Sequence, residues 1–415
     1  MDFNDTKAEA EFRAEAGAFL SKHMKPLAPG EANNMLAERD DPDTITRAKA
    51  WQATKKDNGW AVLTWPKEFG GREATPIQSV IWNQEEAKYR VPPNIFGIGL
   101  GMLGPTIMAH GNEEQKQRYL RPMLRGEEIW CQLFSEPSAG SDLAGLRTSA
   151  VREGDDWLIN GQKIWTTGAQ YCKWGMIVTR TDPTAEKHKG ITYFIVDMQA
   201  PGIEIRPIRQ INGLSGFNEV FFTDVRVSDS NRVGAVNDGW RGAVTTLMNE
   251  RHSIGGGGAG GPDFSDLLEL AEETTVGGRR AIDDDAVRQR LARFYIRLKG
   301  LQYTGYRTQT ALSRGQTPGP ESSIGKLVGA PLRQDMASFA IDLQGVAGAM
   351  SDRERAPDQG AWQQMYLGAP GLRLAGGTDE ILRNIIAERV LGLPPEIRAD
   401  KGVAFKDVPT GPKNQ

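Results

Sequence analysis

A chain of 415 residues exceeds what one ordinary core holds and points to two or three domains. Apolar residues at 39% and charged residues at 25% are globular proportions, and a net charge of −3 leaves no basic footprint for a nucleic acid. Two cysteines, Cys131 and Cys172, argue against a disulfide scaffold. The acidic start, MDFNDTKAEAEF, lacks the apolar stretch of a secretory signal, and runs such as ITYFIV (191–196) are far too short to span a membrane. The cytoplasm is the expected location, with no membrane partner.

In chain order, residues 1–128 read as helices. Thr6 and Glu9 have capping-box spacing, followed by Phe12, Ala16, Phe19 and Leu20 at helical intervals up to Pro26. Further helices are expected near 44–57, 76–90, 95–109 and 113–125. Residues 129–235 change to strands. Trp157 to Ile159 run into Asn160-Gly161, a type I′ hairpin signal, with Ile164 to Thr167 on the far side. Met176–Thr179, Ile191–Val196, Ile203–Ile208 and Glu219–Val227 are also strand-like, at the spacing of a barrel or sandwich. Helical periodicity returns over 236–395, with Leu291, Phe294, Tyr295 and Leu298 on one face. The polar tail, 396–415, follows Pro394-Pro395 and is expected to be loose. Helices, strands and helices in that order predict an α+β protein with a β domain between two helical ones.

Two G-x-G-x-x-G matches, Gly99/Gly101/Gly104 and Gly255/Gly257/Gly260, lack the preceding strand that a dinucleotide site needs. The four histidines, His23, His110, His188 and His252, are too scattered for metal ligation, so no metal is expected.

Three segments carry candidate chemistry. LFSEPSAGSDLAGLRT (133–148) runs from a strand into a loop of serines and glycine, small enough for close approach to a ligand, though a solvated turn would look similar. NGQKIWTTGAQY (160–171) sets Trp165 before two threonines, able to pack on a planar ring but equally an ordinary core tryptophan. LAGGTDEILRNIIAERVLGLP (374–394) opens a helix at a Gly-Gly-Thr turn, with Thr378 at the N-cap.

Together these segments resemble the acyl-CoA dehydrogenase family, whose SEPGAGSD-like loop, NGxKxWxT segment and GTxEIxR helix occur here in the same order. The resemblance covers the chain to about Pro394. It implies an N-terminal helical domain, a barrel-like middle β domain and a C-terminal four-helix bundle. It also implies an FAD cofactor, an acyl-CoA substrate, electron-transferring flavoprotein as acceptor, and a homotetramer or homodimer, with a heterotetramer as the variant. The setting implied is lipid β-oxidation in a bacterium.

By resemblance, Gln132, Phe134, Ser135 and Ser141 match the first flavin loop, and Ser141 also the CoA arm. Trp165 and Thr167 match residues against the flavin ring, and Thr378 and Glu380 the C-terminal dinucleotide contacts. Arg279 falls where relatives reach a neighbouring subunit's pyrophosphate, although the motif here is reduced to RRAID. Gln344 and Gly345 stand in the altered adenine segment DLQGVAG (342–348).

The reaction needs a base at the α-carbon, usually a glutamate. Many relatives place it just before the Gly-Thr of the C-terminal motif, where this chain has Gly376. Isovaleryl-CoA and long-chain relatives place it before an arginine on a middle helix, matching Glu250 and Arg251 in LMNERHSI (247–254). Ala243, Leu247, Glu250 and Ile254 share one helical face, and a carboxylate in an apolar stripe needs a partner or a purpose. Arg251 and Gly376 are then candidate substrate contacts beside Ser141. The competing readings are a salt bridge at Glu250, a non-catalytic partner subunit of a heteromeric dehydrogenase, and an acyl-CoA oxidase. Glycines 255–258, Ala259, Gly260 and Gly261 just beyond Glu250 point to room for branched, cyclic or steroid-like acyl chains, or to a simple helix break.

Overall fold

A computed structural model describes residues 5–28, 42–255, 261–313, 319–352, 354–398 and 400–409. Five α-helices come first: α1 (Lys7–His23), α2 (Pro42–Asp57), α3 (Pro76–Glu86), α4 (Gly104–His110) and α5 (Glu113–Arg125). Eight strands follow: β1 (Trp130–Leu133), β2 (Ser149–Glu153), β3 (Asp156–Thr167), β4 (Trp174–Arg180), β5 (Ile191–Asp197), β6 (Ile203–Ile208), β7 (Phe217–Ser228) and β8 (Arg232–Val233). The rest comprises α6 (Gly239–Gly255), α7 (Phe264–Glu273), a small ribbon of β9 (Thr275–Val276) and β10 (Arg279–Arg280), then α8 (Asp285–Ser313), α9 (Ser323–Leu343), α10 (Ala361–Leu374) and α11 (Asp379–Arg389).

The chain packs as two compact units. The first comprises residues 1–38, 74–91 and 254–395. In it α1 packs on α3, and α9 packs against α7, α8, α10 and α11. Its helix starts are written in the sequence: Thr6 and Glu9 exchange both capping-box bonds, as do Thr75 and Gln78. Leu291, Phe294, Met336, Phe339, Leu343 and Trp362 form its apolar centre.

The second unit comprises residues 39–73, 92–253 and 396–415 and contains the large sheet. Strand order is β6-β7-β3-β2-β4-β5-β8, with β1 added parallel to β4. The sheet does not close into a ring, unlike the barrel-like form expected. Strands β4 and β5 are buried almost end to end because both faces are covered, which is why their sequences are continuously apolar.

Asn160-Gly161 does not form a hairpin turn. Strand β3 runs straight through it, and the register against β7 shifts there, the mark of a bulge. Gly161 has φ 148°, and a Cβ at this position would sit 2.5 Å from Thr148 Oγ1. Asn160 fills the gap by exchanging two hydrogen bonds with Asp224. The true β2–β3 turn is at Gly154-Asp155, with Gly154 at φ 62°. Close packing explains Gly104 of the first glycine triplet: a Cβ there would lie 2.3 Å from the Trp65 ring.

The tail is not loose over its described part. Phe405 N–H and Lys406 N–H donate to Ala185 O and Pro183 O. The Phe405 ring lies 3.8 Å below the Arg180 guanidinium, and Lys187 bridges Asp142 and Asp400. One aromatic side chain anchors an otherwise polar segment. Phe405→Ala should therefore remove a cation–π contact worth about 0.5–2 kcal/mol and expose residues 400–409 to limited proteolysis. Mass spectrometry of the digest would show faster cleavage there than in wild type.

Candidate functional site

The loop after β1 and the far half of β3 are bound together through a buried ion pair. Lys163 is 0% exposed, and its Nζ lies 2.8 Å from Glu136 Oε1 and 3.0 Å from Phe134 O. Glu136 also accepts the backbone N–H groups of Arg147 and Thr148, and Ile164 N–H donates to Ser135 O. Burial alone would raise the Glu136 carboxyl, but the charge and hydrogen bond of Lys163 and the Thr148 and Arg147 donors outweigh it and hold the group below the usual carboxylate range. Every polar atom of this carboxylate is thus committed to holding backbone in place.

Beyond Lys163 the strand breaks its alternation. Trp165 adopts φ 60°, and the register against β7 shifts between Lys163 and Thr166. Regular pleating would turn the indole inward with Ile159 and Lys163. The irregularity turns Thr166 inward instead and leaves Trp165 55% exposed, edge-on to Phe217 at 6.0 Å. A bulky residue at positive φ is strained, and such strain collects at functional positions. Thr167 follows in the strand, paired with Phe217.

Ser141 is exposed in the same loop, and a Cβ on Gly140 would meet nothing within 4 Å. Phe134 is buried against Tyr193, with ring centres 5.8 Å apart. These residues fit a planar, polar-edged cofactor: an outward indole to cover a ring face, and an open loop with serine hydroxyls and amides beside it.

Glu250 lies on α6, half-buried, and accepts a hydrogen bond from Gln132 Nε2 at 3.3 Å. Below it, Thr246 Oγ1 is 2.8 Å from Thr106 Oγ1 and 3.1 Å from the Tyr193 hydroxyl, all buried. Burial pushes the Tyr193 phenol well above its ordinary range, and the charge of Glu250 adds to the rise. This hydroxyl network had no sequence signal, because its members lie on α4, β5 and α6. The Arg251 side chain, and the glycine stretch over 256–260, lie outside the described residues.

The other expected residues belong to the helical unit. Thr378 caps α11 by accepting from Ile381 N–H. Gly376 and Gly377 have φ 64° and 97°, and Lys326 donates to Gly377 O. Glu380 is exposed, whereas its neighbour Asp379 is buried against Arg373 at 2.7 Å. Arg279 is exposed on β10. Gln344 ends α9 and accepts from Gln363 at 2.8 Å, with Gly345 next to it at φ 57°.

Three family descriptions match the chain: "Acyl-CoA dehydrogenase, N-terminal domain" over 6–127, "middle domain" over 131–225 and "C-terminal domain" over 237–391. The acyl-CoA dehydrogenase FadE34 of Mycobacterium tuberculosis is 43% identical over 343 residues, 83% of this chain. The chain spans only 46% of the length of FadE34. The acyl-CoA dehydrogenase IpdE1 of Mycolicibacterium smegmatis is 36% identical over 408 residues, covering 94% of this chain and 98% of that protein. A solved structure, "Tcur3481-Tcur3483 steroid ACAD", superposes with a TM-score of 0.78 at 28% identity over 95% of this chain and 100% of its own.

The ion pair carries a testable load. Glu136→Gln or Lys163→Met should each cost about 3–5 kcal/mol, while removing both charges together should cost less. The folded Glu136 carboxyl is held below its unfolded value, so its contribution is complete above about pH 4.5 and lost as pH falls further. Denaturant unfolding across pH should show an acid loss in wild type that shrinks in the doubly neutral variant.

Proposed function

The chain belongs to the acyl-CoA dehydrogenase family, and on that premise we propose that Glu250 is the base removing the α-proton of an acyl-CoA thioester. The protein is an oxidoreductase of CH–CH bonds, and FAD is the cofactor of its family. One observation carries the assignment: the Glu250 carboxylate sits 3.3 Å from Gln132, at the start of the loop that matches the flavin segment. Gly376, at the alternative position, has no side chain to accept a proton.

When bound, FAD supplies the hydride acceptor for the β-carbon. The chain's own residues hold and align the partners. Ser135, Ser141, Trp165 and Thr167 offer hydroxyls, amides and a ring face to the cofactor. Phe134 packs behind the loop. Glu250 takes the α-proton in a half-buried setting, where its contacts are stronger than in water. Thr378 and Glu380, with Gln344, Gly345 and Arg279, are proposed cofactor contacts of the helical unit. Gly376 and Arg251 are proposed for substrate.

The product is the trans-2-enoyl-CoA, and electron-transferring flavoprotein is the proposed acceptor. The same reading takes the C-terminal helical region, 236–395, as a four-helix bundle, with domain boundaries near 128, 235 and 395. A steroid-like or branched acyl group is the favoured substrate, supported by the likeness to the solved steroid ACAD and by the glycines beyond Glu250.

The purified protein should be yellow, with about one noncovalent FAD per active chain. A colourless protein that takes up no FAD would instead support the partner-subunit reading. Glu250→Gln should lower turnover about 10²- to 10⁴-fold while flavin content and melting temperature stay near wild type. Stopped-flow absorbance would show the oxidised spectrum persisting with substrate bound. Normal flavin reduction with a lowered melting point would return Glu250 to a salt-bridge role.

A further inference from the structure

The end of the chain is fastened to the loop that carries Ser141. Residues 396–415 belong to the sheet unit, not to the helical region they follow. Two links run from them. In the first, Lys187, itself buried, sets its Nζ 2.9 Å from Asp142 and 2.5 Å from Asp400. Arg398 and Lys187 hold the Asp400 carboxyl well below the usual carboxylate range. In the second, buried Arg180 donates from one guanidinium nitrogen to Ala144 O and from another to Lys187 O. The Phe405 ring covers that guanidinium at 3.8 Å, and Arg147 also faces the ring, at 5.5 Å. We propose that residues 400–409 are a strap that holds Ser141 and its loop in the form that receives FAD. This rests on Ser141 being a cofactor contact.

The loop needs such a hold at one place. Its start is closed by the backbone bonds that Glu136 and Ala139 exchange, and its end by Glu136 on the Arg147 and Thr148 amides. Between them Gly140, Ser141 and Asp142 are all exposed, and a Cβ on Gly140 would meet nothing within 4 Å. Glycine in open space leaves the backbone many conformations. Asp142 is where the tail takes hold of this stretch. Its carboxylate also lies over Gly145, where a Cβ would come 2.8 Å from Oδ2. The Asp142 side chain is 62% exposed, and an exposed carboxylate paired with one cation fixes little by itself. Asp400, whose side chain is only 14% exposed, turns the pair into a network and gives the Lys187 ammonium a fixed place.

A loop that is ordered beforehand binds its ligand without the cost of ordering it. Fixing the backbone of one residue on binding corresponds to roughly tenfold in affinity. Loss of the strap therefore shows in how tightly FAD is held, apart from turnover. A tail that only covered surface would leave flavin affinity alone.

The experiment compares Asp400→Asn, Asp400→Glu and a chain ending at residue 395, each purified with FAD. Flavin release on dilution is followed by fluorescence, and amide exchange of residues 140–147 by mass spectrometry. Expected is a roughly tenfold rise in the Kd for FAD in Asp400→Asn. The shortened chain should lose at least as much, while Asp400→Glu, which keeps the charge, should stay near wild type. Exchange at 140–147 should quicken in the two weakened forms, with the amides of β4 and β5 still protected. Asp400→Asn should cost clearly less in a Ser141→Ala background, because the strap acts through that residue. Unchanged FAD affinity and unchanged exchange in Asp400→Asn would overturn the proposal. So would a raised KM for acyl-CoA at unchanged FAD affinity, which would give the loop to the substrate alone. If Ser141→Ala binds FAD as tightly as wild type, the cofactor reading of Ser141 fails first, and the two failures stay distinguishable. Should the shortened chain not fold, the two Asp400 variants decide the matter.

Discussion

The arrangement depends on a lysine with no access to water. Lys163 brings a full positive charge into the sheet, a cost that only a matched acceptor offsets. Glu136 supplies it, together with Phe134 O, and in doing so fixes the start of the serine loop to the far half of β3. The remaining acceptor capacity of the carboxylate takes two backbone donors from Arg147 and Thr148, so the loop is tied at both ends. The holding group is buried, while Ser141 and Trp165 stand outward on a frame that cannot shift without stranding a charge.

That division of labour extends to Glu250. Its carboxylate accepts from Gln132 on β1, and one helical turn earlier on α6 Thr246 pairs with the Tyr193 hydroxyl.

Much of this was legible in the sequence, for identifiable reasons. Helix starts and stops are local, so the Thr6–Glu9 box and the Thr378 cap read correctly. Strands β4 to β7 read correctly because their β-branched runs are long. Asn160-Gly161 misled because a bulge and a turn ask for the same residues, and only the partner strand distinguishes them. The outward turn of Trp165 was invisible, since alternation predicts the opposite and a positive φ leaves no mark in composition. The docked tail was missed because its hold combines one aromatic ring, two backbone bonds and an ion pair to distant residues, none of which shows in local composition. The ion pair joins residues 27 apart, and Gln132 to Glu250 spans 118, separations over which no periodicity reaches.

The discontinuity of both units has a consequence for how the chain is made. The sheet unit draws on residues from 39 to 253 and then on 396–415, and the helical unit needs 1–38 and 74–91 beside 254–395. On the ribosome, then, neither unit can be completed in order of synthesis. Helix α3 emerges early, with α1 to pack on, but must wait for α8 to be translated before those two can pack. The pairing of Phe405 and Lys406 with residues 183–185 forms only after the whole intervening helical segment has left the exit tunnel. A nascent chain of this design exposes unpartnered surface for most of its synthesis, and its dependence on chaperones should exceed that of a protein whose domains follow one another along the sequence.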